Sequence, residues 1–310
     1  MTNSNQLTRR RFLRGMFAAG AVSFITPHLT AELPAAAPYW QDKGWQIGCW
    51  TRPWSKYDYR VAMDAVADAG YKYIALTGAK TKTRRVIAAA TTLEEAEKVG
   101  VEAGKRGLHI PCAFGGHPKT NTLQEGIDNL RKMIDNCAAA GAWSVVVSSL
   151  GNQKSYDRYC KVMTECCDYA AEKKVVIVLK PHGGMCGTGP LCRKAIKRIA
   201  HKNFTLMYDP GNTYYYSNGE IDPVRDVVAV NGLVTSMSVK DYKHPKDVGI
   251  TPGTGQVDFP ALMARLRKGG FTHGPMLVET LAPGDLAHTL QEAKKARSFV
   301  ERIVSKQRNI

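Results

Sequence analysis

The chain has 310 residues, 44% of them hydrophobic, and 43 Lys and Arg against 27 Asp and Glu give it a formal net charge of +16. The cations are scattered, with no arginine-rich stripe or aromatic-interleaved patch, which argues against nucleic acid as a partner and for a solvated basic face. Eight cysteines without a single C-x-x-C pair argue against a zinc ribbon.

The N-terminus reads as an address rather than as structure. "TRRRFLRG" (8–15) is a basic head with the twin-arginine pattern, followed by the short apolar stretch "GMFAAGAVSFITP" and then small residues. The layout is that of a cleavable export signal, too short and too rich in Gly and Ala to span a membrane as a helix. Residues 1–37 are therefore assigned to a twin-arginine signal, and the protein to the periplasm or another extracytoplasmic place, with no stable membrane insertion after signal removal. Removing residues 1–31, which hold four arginines and no acids, lowers the charge from +16 to +12. Residues 38–310, with no second apolar segment, suit one large domain.

From residue 45 one rhythm repeats: an apolar run, a loop, an amphipathic helix, a glycine, the next apolar run. "WQIGCW" (45–50) leads to the helix "YRVAMDAVADAG" and then to "YKYIAL" (71–76). "LHIPCAF" (108–114) leads to "LQEGIDNLRKMIDNCAAAG" and "WSVVVSS" (143–149). "VVIVLK" (175–180) leads to "LCRKAIKRIA" and "FTLMYD" (204–209). "LVTSMSVKD" (233–241) leads to "FPALMARLRKGG", "PMLVET" (275–280) and a last helix over about 285–305. Eight strands at a spacing of roughly thirty residues, each followed by a helix, specify a single (β/α)8 barrel. An open doubly wound sheet competes less well, because no Gly-rich dinucleotide loop follows the first strand. Cys49 and Cys112 fall in strands, and Cys137, Cys160, Cys166 and Cys167 in helices. Only Cys186 and Cys192 flank a loop that a disulfide would close.

In such barrels chemistry sits at the C-terminal ends of the strands. The polar residues there are Trp50 and Arg52 after the first strand, with Trp54 close behind, then His117 after the third and Ser148 and Ser149 at the fourth. Lys180 and His182 end the fifth, Asp209 and Asn212 the sixth, Ser238, Lys240 and Asp241 the seventh, and Glu279 the eighth. Alternation along a strand puts Lys180 with His182, and Ser238 with Lys240, on shared faces. Singly, each has a plain role: Asp209 before "PGN" starts a turn or caps a helix, and the glycines of "TPGTGQVDFP" punctuate a loop. Together they direct charge at one mouth, which calls for a purpose.

These features resemble the xylose-isomerase-like barrel superfamily of sugar isomerases and epimerases, with the AP-endonuclease branch as a relative. "YDPGN" resembles that superfamily's sixth-strand Asp-x-Gly-His/Asn, "SVKD" its seventh-strand His-x-Lys-Asp, and "LVET" its eighth-strand glutamate; the resemblance runs from about residue 45 to 303. It implies one divalent ion held by Glu, Asp, His and Glu from strands five to eight. Asp209 and Glu279 match, but Lys180 stands for the first glutamate and Ser238 for the histidine. Two carboxylates and one ammonium carry the same −1 as three carboxylates and a divalent ion, so Lys180 is expected to take the ion's place. The alternative keeps one divalent ion (Mn, Mg or Zn) on Asp209, Glu279 and His182.

The resemblance implies proton abstraction next to the carbonyl of a sugar or keto-sugar, as in an isomerase or epimerase. Glu279 is the expected base, Lys180 the electrophile beside Asp209, and His182 or His117 the partner acid. Trp50 and Trp54 would offer flat faces to sugar C–H groups, with Arg52, Asn212, Ser238 and Lys240 binding hydroxyl or carboxylate groups. A keto-glycoside lyase or hydratase, and a catalytically silent carbohydrate-binding barrel, are the alternatives. A DNA-repair nuclease needs more metal ligands than this rim supplies. The expected partner is a small sugar or glycoside, in a monomer or oligomer.

Overall fold

A computed structural model of the chain describes residues 44–118, 121–148 and 153–305; the export segment and Ser149 lie outside them. Eight strands, β1 (Trp45–Trp50), β2 (Tyr73–Ala75), β3 (Ala113–Gly116), β4 (Ser144–Ser148), β5 (Val176–Lys180), β6 (Phe204–Tyr208), β7 (Val234–Val239) and β8 (Gly274–Val278), form one parallel sheet. Its order is β2-β1-β8-β7-β6-β5-β4-β3, and single parallel bridges, Tyr73 to His109 and Leu76 to Ala113, join its two edges. The result is the expected (β/α)8 barrel.

The ladder of β3 starts later than the apolar run that announces it. Pro111 has no N–H to donate, and residues 109–112 bond irregularly to both sides: the Ile110 and Pro111 carbonyls accept from the Trp143 N–H at 3.2 Å and the Ser144 hydroxyl at 2.9 Å. The carbonyls of His109 and Cys112 accept from Ile74 and Leu76, both at 2.9 Å.

Helices α1 (Tyr59–Asp68), α2 (Leu93–Lys105), α3 (Leu123–Ala139), α4 (Gln153–Glu172) and α5 (Gly189–Ile199) follow the first five strands. Two short helices, α6 (Pro210–Tyr216) and α7 (Pro223–Asp226), link β6 to β7; α8 (Phe259–Lys268) and α9 (Leu286–Ser305) follow the last two strands. Side chains set where they begin. Asp58, Thr122, Thr188 and Asp258 each accept a backbone N–H of the first turn, and Thr92 with Glu95 closes a reciprocal capping box on α2. None of the described helices is long and apolar enough to cross a membrane.

Strand alternation divides the core in two. Ile177, Leu179, Leu206, Met237, Met276 and Val278 face the helices, while Val176, Val178, Met207 and Leu277 fill the barrel interior with Trp50, Ala75, Cys112 and Val146. Following the inner columns upward, Val176 and Val178 lead to Lys180, Met207 to Asp209, Ser236 and Ser238 to Lys240, and Leu277 to Glu279. The period of two thus delivers four charges to one mouth above an apolar plug.

The eight cysteines are buried free thiols. The bridge considered for Cys186 and Cys192 is absent; Cys192 donates its S–H to the Cys186 carbonyl oxygen at 3.3 Å.

Candidate active site

Lys180 and Glu279 occupy the centre of the mouth with Asp209 and Lys240. Lys180 Nζ lies 2.7 Å from Asp209 Oδ2 and 2.6 Å from Glu279 Oε2. Lys240 Nζ lies 3.2 Å from the same Asp209 oxygen and 2.7 Å from Glu279 Oε1. Arg52, on the turn after β1, adds a third cation to Glu279 through Nη1 at 2.5 Å, and Ser238 donates its hydroxyl to Oε2 at 2.5 Å. Both lysines are 2% exposed, whereas the Arg52 side chain is 47% exposed.

The two ammonium groups are not equivalent. Each carries three N–H donors. Lys240 spends all three, on Asp209, Glu279 and Asn212 Oδ1 at 3.0 Å. Lys180 spends two, leaving one N–H without an acceptor among the described residues. Burial alone would lower the pKa of Lys180, but Asp209 and Glu279 outweigh it and raise the value above the ordinary one. For Lys240 burial wins, aided by Lys180 and Arg52, and the value is lowered. Burial would raise Glu279, yet Lys180, Lys240 and Arg52 together hold it well below the usual carboxylate range.

Asp209 fills the plain role and the site role at once. Its Oδ1 accepts the backbone N–H of Asn212 at 2.9 Å and so caps α6, which fixes Oδ2 toward the lysines. Asn212 is anchored in turn by donating Nδ2 to the Pro181 carbonyl at 2.6 Å. Asp241 points the other way along β7: its carboxylate accepts the backbone N–H groups of Tyr242, Gly253, Gly255 and Val257 and organises that loop.

His182 stands at the edge of the mouth, stacked on Phe114 with ring centroids 5.7 Å apart, and its buried Nδ1 has no partner among the described residues. Burial and the nearby Lys180 push its pKa down to about 3. That favours the neutral imidazole, so as the expected partner acid it would donate from a neutral ring N–H. His117 lies 6.3 Å from it, ring to ring, with Nδ1 3.0 Å from the Ser148 hydroxyl.

Both tryptophans are buried. Trp54 is 1% exposed and packs in the layer between barrel and helices, so it offers no face to a ligand. Trp50 is 2% exposed and belongs to the apolar plug inside the barrel. A bulky aromatic after a strand packs as readily as it binds, and here the first turn folds inward. Residues unforeseen in the sequence also border the mouth. Arg85, from the loop after β2, lies over the Phe114 ring at 4.8 Å and donates Nη1 to the Phe114 carbonyl at 3.0 Å. Tyr216 approaches His182 at 6.1 Å, a closeness that needs Gly183, since a Cβ there would meet the Tyr216 ring at 2.5 Å.

A cavity of about 290 Å³ opens beside Glu279, lined by Arg52, Lys56, Thr280 and the segment 281–284, among others. Its size is at the small end of ligand pockets and suits a monosaccharide-sized guest.

The donor set does not fit the divalent ion of the resemblance. A cation would need the inward lone pairs of Asp209 and Glu279, and these are spent on Lys180, Lys240, Arg52, Ser238 and the Asn212 N–H. The Lys180 ammonium stands between the two carboxylates, and His182 does not gather with them as a third ligand among the described residues.

The family model described as "Xylose isomerase-like TIM barrel" matches residues 63–303, so the chain belongs to that family. Among solved structures, an L-ribulose 3-epimerase is similar at 14% identity with a TM-score of 0.68, covering 84% of this chain and 95% of that one. A D-psicose 3-epimerase is similar at 14% identity and a TM-score of 0.67, covering 84% of this chain and 99% of that one. A xylose isomerase domain protein from Planctomyces limnophilus is similar at 17% identity and a TM-score of 0.67, covering 86% and 100%. At these identities the likeness is one of fold. No curated protein matches.

Proposed function

We propose that the protein is an exported isomerase or epimerase of sugars or keto-sugars that abstracts a proton next to a carbonyl, with Lys180 in place of the family's metal ion. The observation that carries this reading is the N–H of Lys180 that has no acceptor among the described residues, held between two carboxylates at the mouth of a sugar-epimerase-like barrel. A fixed ammonium with one free N–H suits an enolate oxygen, which gains charge as the C–H proton leaves. His182 in its neutral form offers a second N–H without repelling the proton in transit.

Glu279 remains the base candidate, with one condition. Clasped by three cations it binds protons weakly, and it becomes an effective base only when one cation is drawn away. Arg52 is the cation freest to move, since its side chain is half exposed while both lysines are held among buried partners. The test is solvent-deuterium exchange, followed by NMR, on a panel of ketoses including D-fructose, D-psicose and L-ribulose. Deuterium entering the carbon next to the carbonyl supports the reading; binding without exchange supports a silent carbohydrate-binding barrel instead.

A further inference from the structure

The charges at the mouth do not balance. Lys180, Lys240 and Arg52 face Asp209 and Glu279, so three cations meet two carboxylates and one positive charge is in excess. This replaces the −1 expected when Lys180 alone was counted. Asp241, the other acid of this rim, does not redress the balance, because its oxygens are directed into the 253–257 loop and accept four backbone N–H groups. Arg85 over Phe114 adds to the positive potential.

The excess is open to solvent at one place. Arg52 uses only Nη1 on Glu279, and its side chain forms a wall of the 290 Å³ cavity. Exposed Lys56 also lines the cavity, as do Ser55, Thr280 and Thr289. A guanidinium whose Nε and Nη2 have no acceptor among the described residues is shaped for a planar, two-oxygen anion. One excess charge matches a carboxylate, which carries −1, better than a phosphate ester, which carries nearly −2 at neutral pH.

We propose that this cavity is a carboxylate-binding subsite, in which Arg52, reinforced by Lys56, holds the acid group of a sugar acid beside Glu279. The proposal deepens the reading of the site as a sugar enzyme and rests on it for the sugar part alone. It also supplies the condition that Glu279 needs: an acid group engaging Arg52 competes for the guanidinium and loosens its hold on Oε1.

The experiment is calorimetric titration of the full mature protein, wild type and Arg52→Gln, with D-glucuronate, D-glucose and D-glucose 6-phosphate, at low and at moderate salt. The expected result is glucuronate binding at least about tenfold tighter than glucose, weaker in salt, with the preference lost in Arg52→Gln while the circular dichroism spectrum is unchanged. Equal binding of acid and neutral sugar, absence of glucuronate binding, a preference for the phosphate ester, or a preference that survives Arg52→Gln would each overturn it. The outcome is separable from the fate of the catalytic reading. Arg52-dependent glucuronate binding with no deuterium exchange on any sugar sinks the enzyme and keeps the subsite; exchange on neutral ketoses without glucuronate binding does the reverse.

Discussion

The Lys180 ammonium and the Glu279 carboxylate meet at 2.6 Å with less than a tenth of either side chain exposed. Such a contact is poor evidence for stability. Removing two ions from water costs several kcal/mol each, and well-packed apolar residues often do as well or better in their place. Four charges kept at the top of an apolar plug are therefore better explained by chemistry than by folding.

Lys180→Met separates the two roles. Lys240 and Arg52 still face Asp209 and Glu279, so no carboxylate is left unpaired and the variant is expected to fold, with stability changed by no more than about 3 kcal/mol. Turnover is expected to fall at least about a hundredfold, because the enolate loses its fixed donor. Urea unfolding and solvent-deuterium exchange measure the two effects side by side.

His182 gives the fold a specific acid response. An unfolded imidazole titrates near about 6.5, whereas burial and Lys180 push His182 down to about 3. As pH falls, the unfolded chain takes up the proton first. The stability tied to neutral His182 is whole above about pH 6.5 and is lost progressively from there toward pH 3. His182→Gln is expected to flatten this limb, losing on the order of 1–2 kcal/mol less than wild type between pH 7 and pH 5. Urea melts at the two pH values check it; parallel losses in both proteins contradict it.

The barrel and the four central charges are legible in the chain because both rest on short-range rules. Alternation fixes which face Lys180 and Lys240 share, and the strand ends fix where that face opens. What is hidden depends on contacts across the barrel. Nothing near Arg52 announces that its partner is Glu279, 227 positions away, and with Arg52 and Lys240 both left out the charge count comes out two cations short. The inward folding of Trp54, the Phe114–His182 stack and the arrival of Arg85 from the β2 loop are equally non-local. Asp241 is the opposite lesson: a carboxylate one residue past Lys240 belongs to a loop, because one step along a strand reverses its direction.

Export is expected to depend on the arginine pair of "TRRRFLRG". Changing Arg9 and Arg10 to Lys should leave the protein in the cytoplasm at its full precursor mass, read by fractionation and mass spectrometry. Normal export of the double variant contradicts the twin-arginine assignment.

The central claim is that an ammonium does the work of a metal ion, and chelation tests it most directly. The measurement is deuterium exchange by the wild type before and after exhaustive chelation, with metal content determined on the same samples, beside Lys180→Glu. That variant brings a third carboxylate to Asp209 and Glu279 and should bind Mn or Zn, or else a proton at a raised pKa. The account predicts full wild-type exchange with no stoichiometric metal, and metal uptake only by Lys180→Glu. Wild-type exchange that is abolished by chelation and restored by one divalent ion would contradict it.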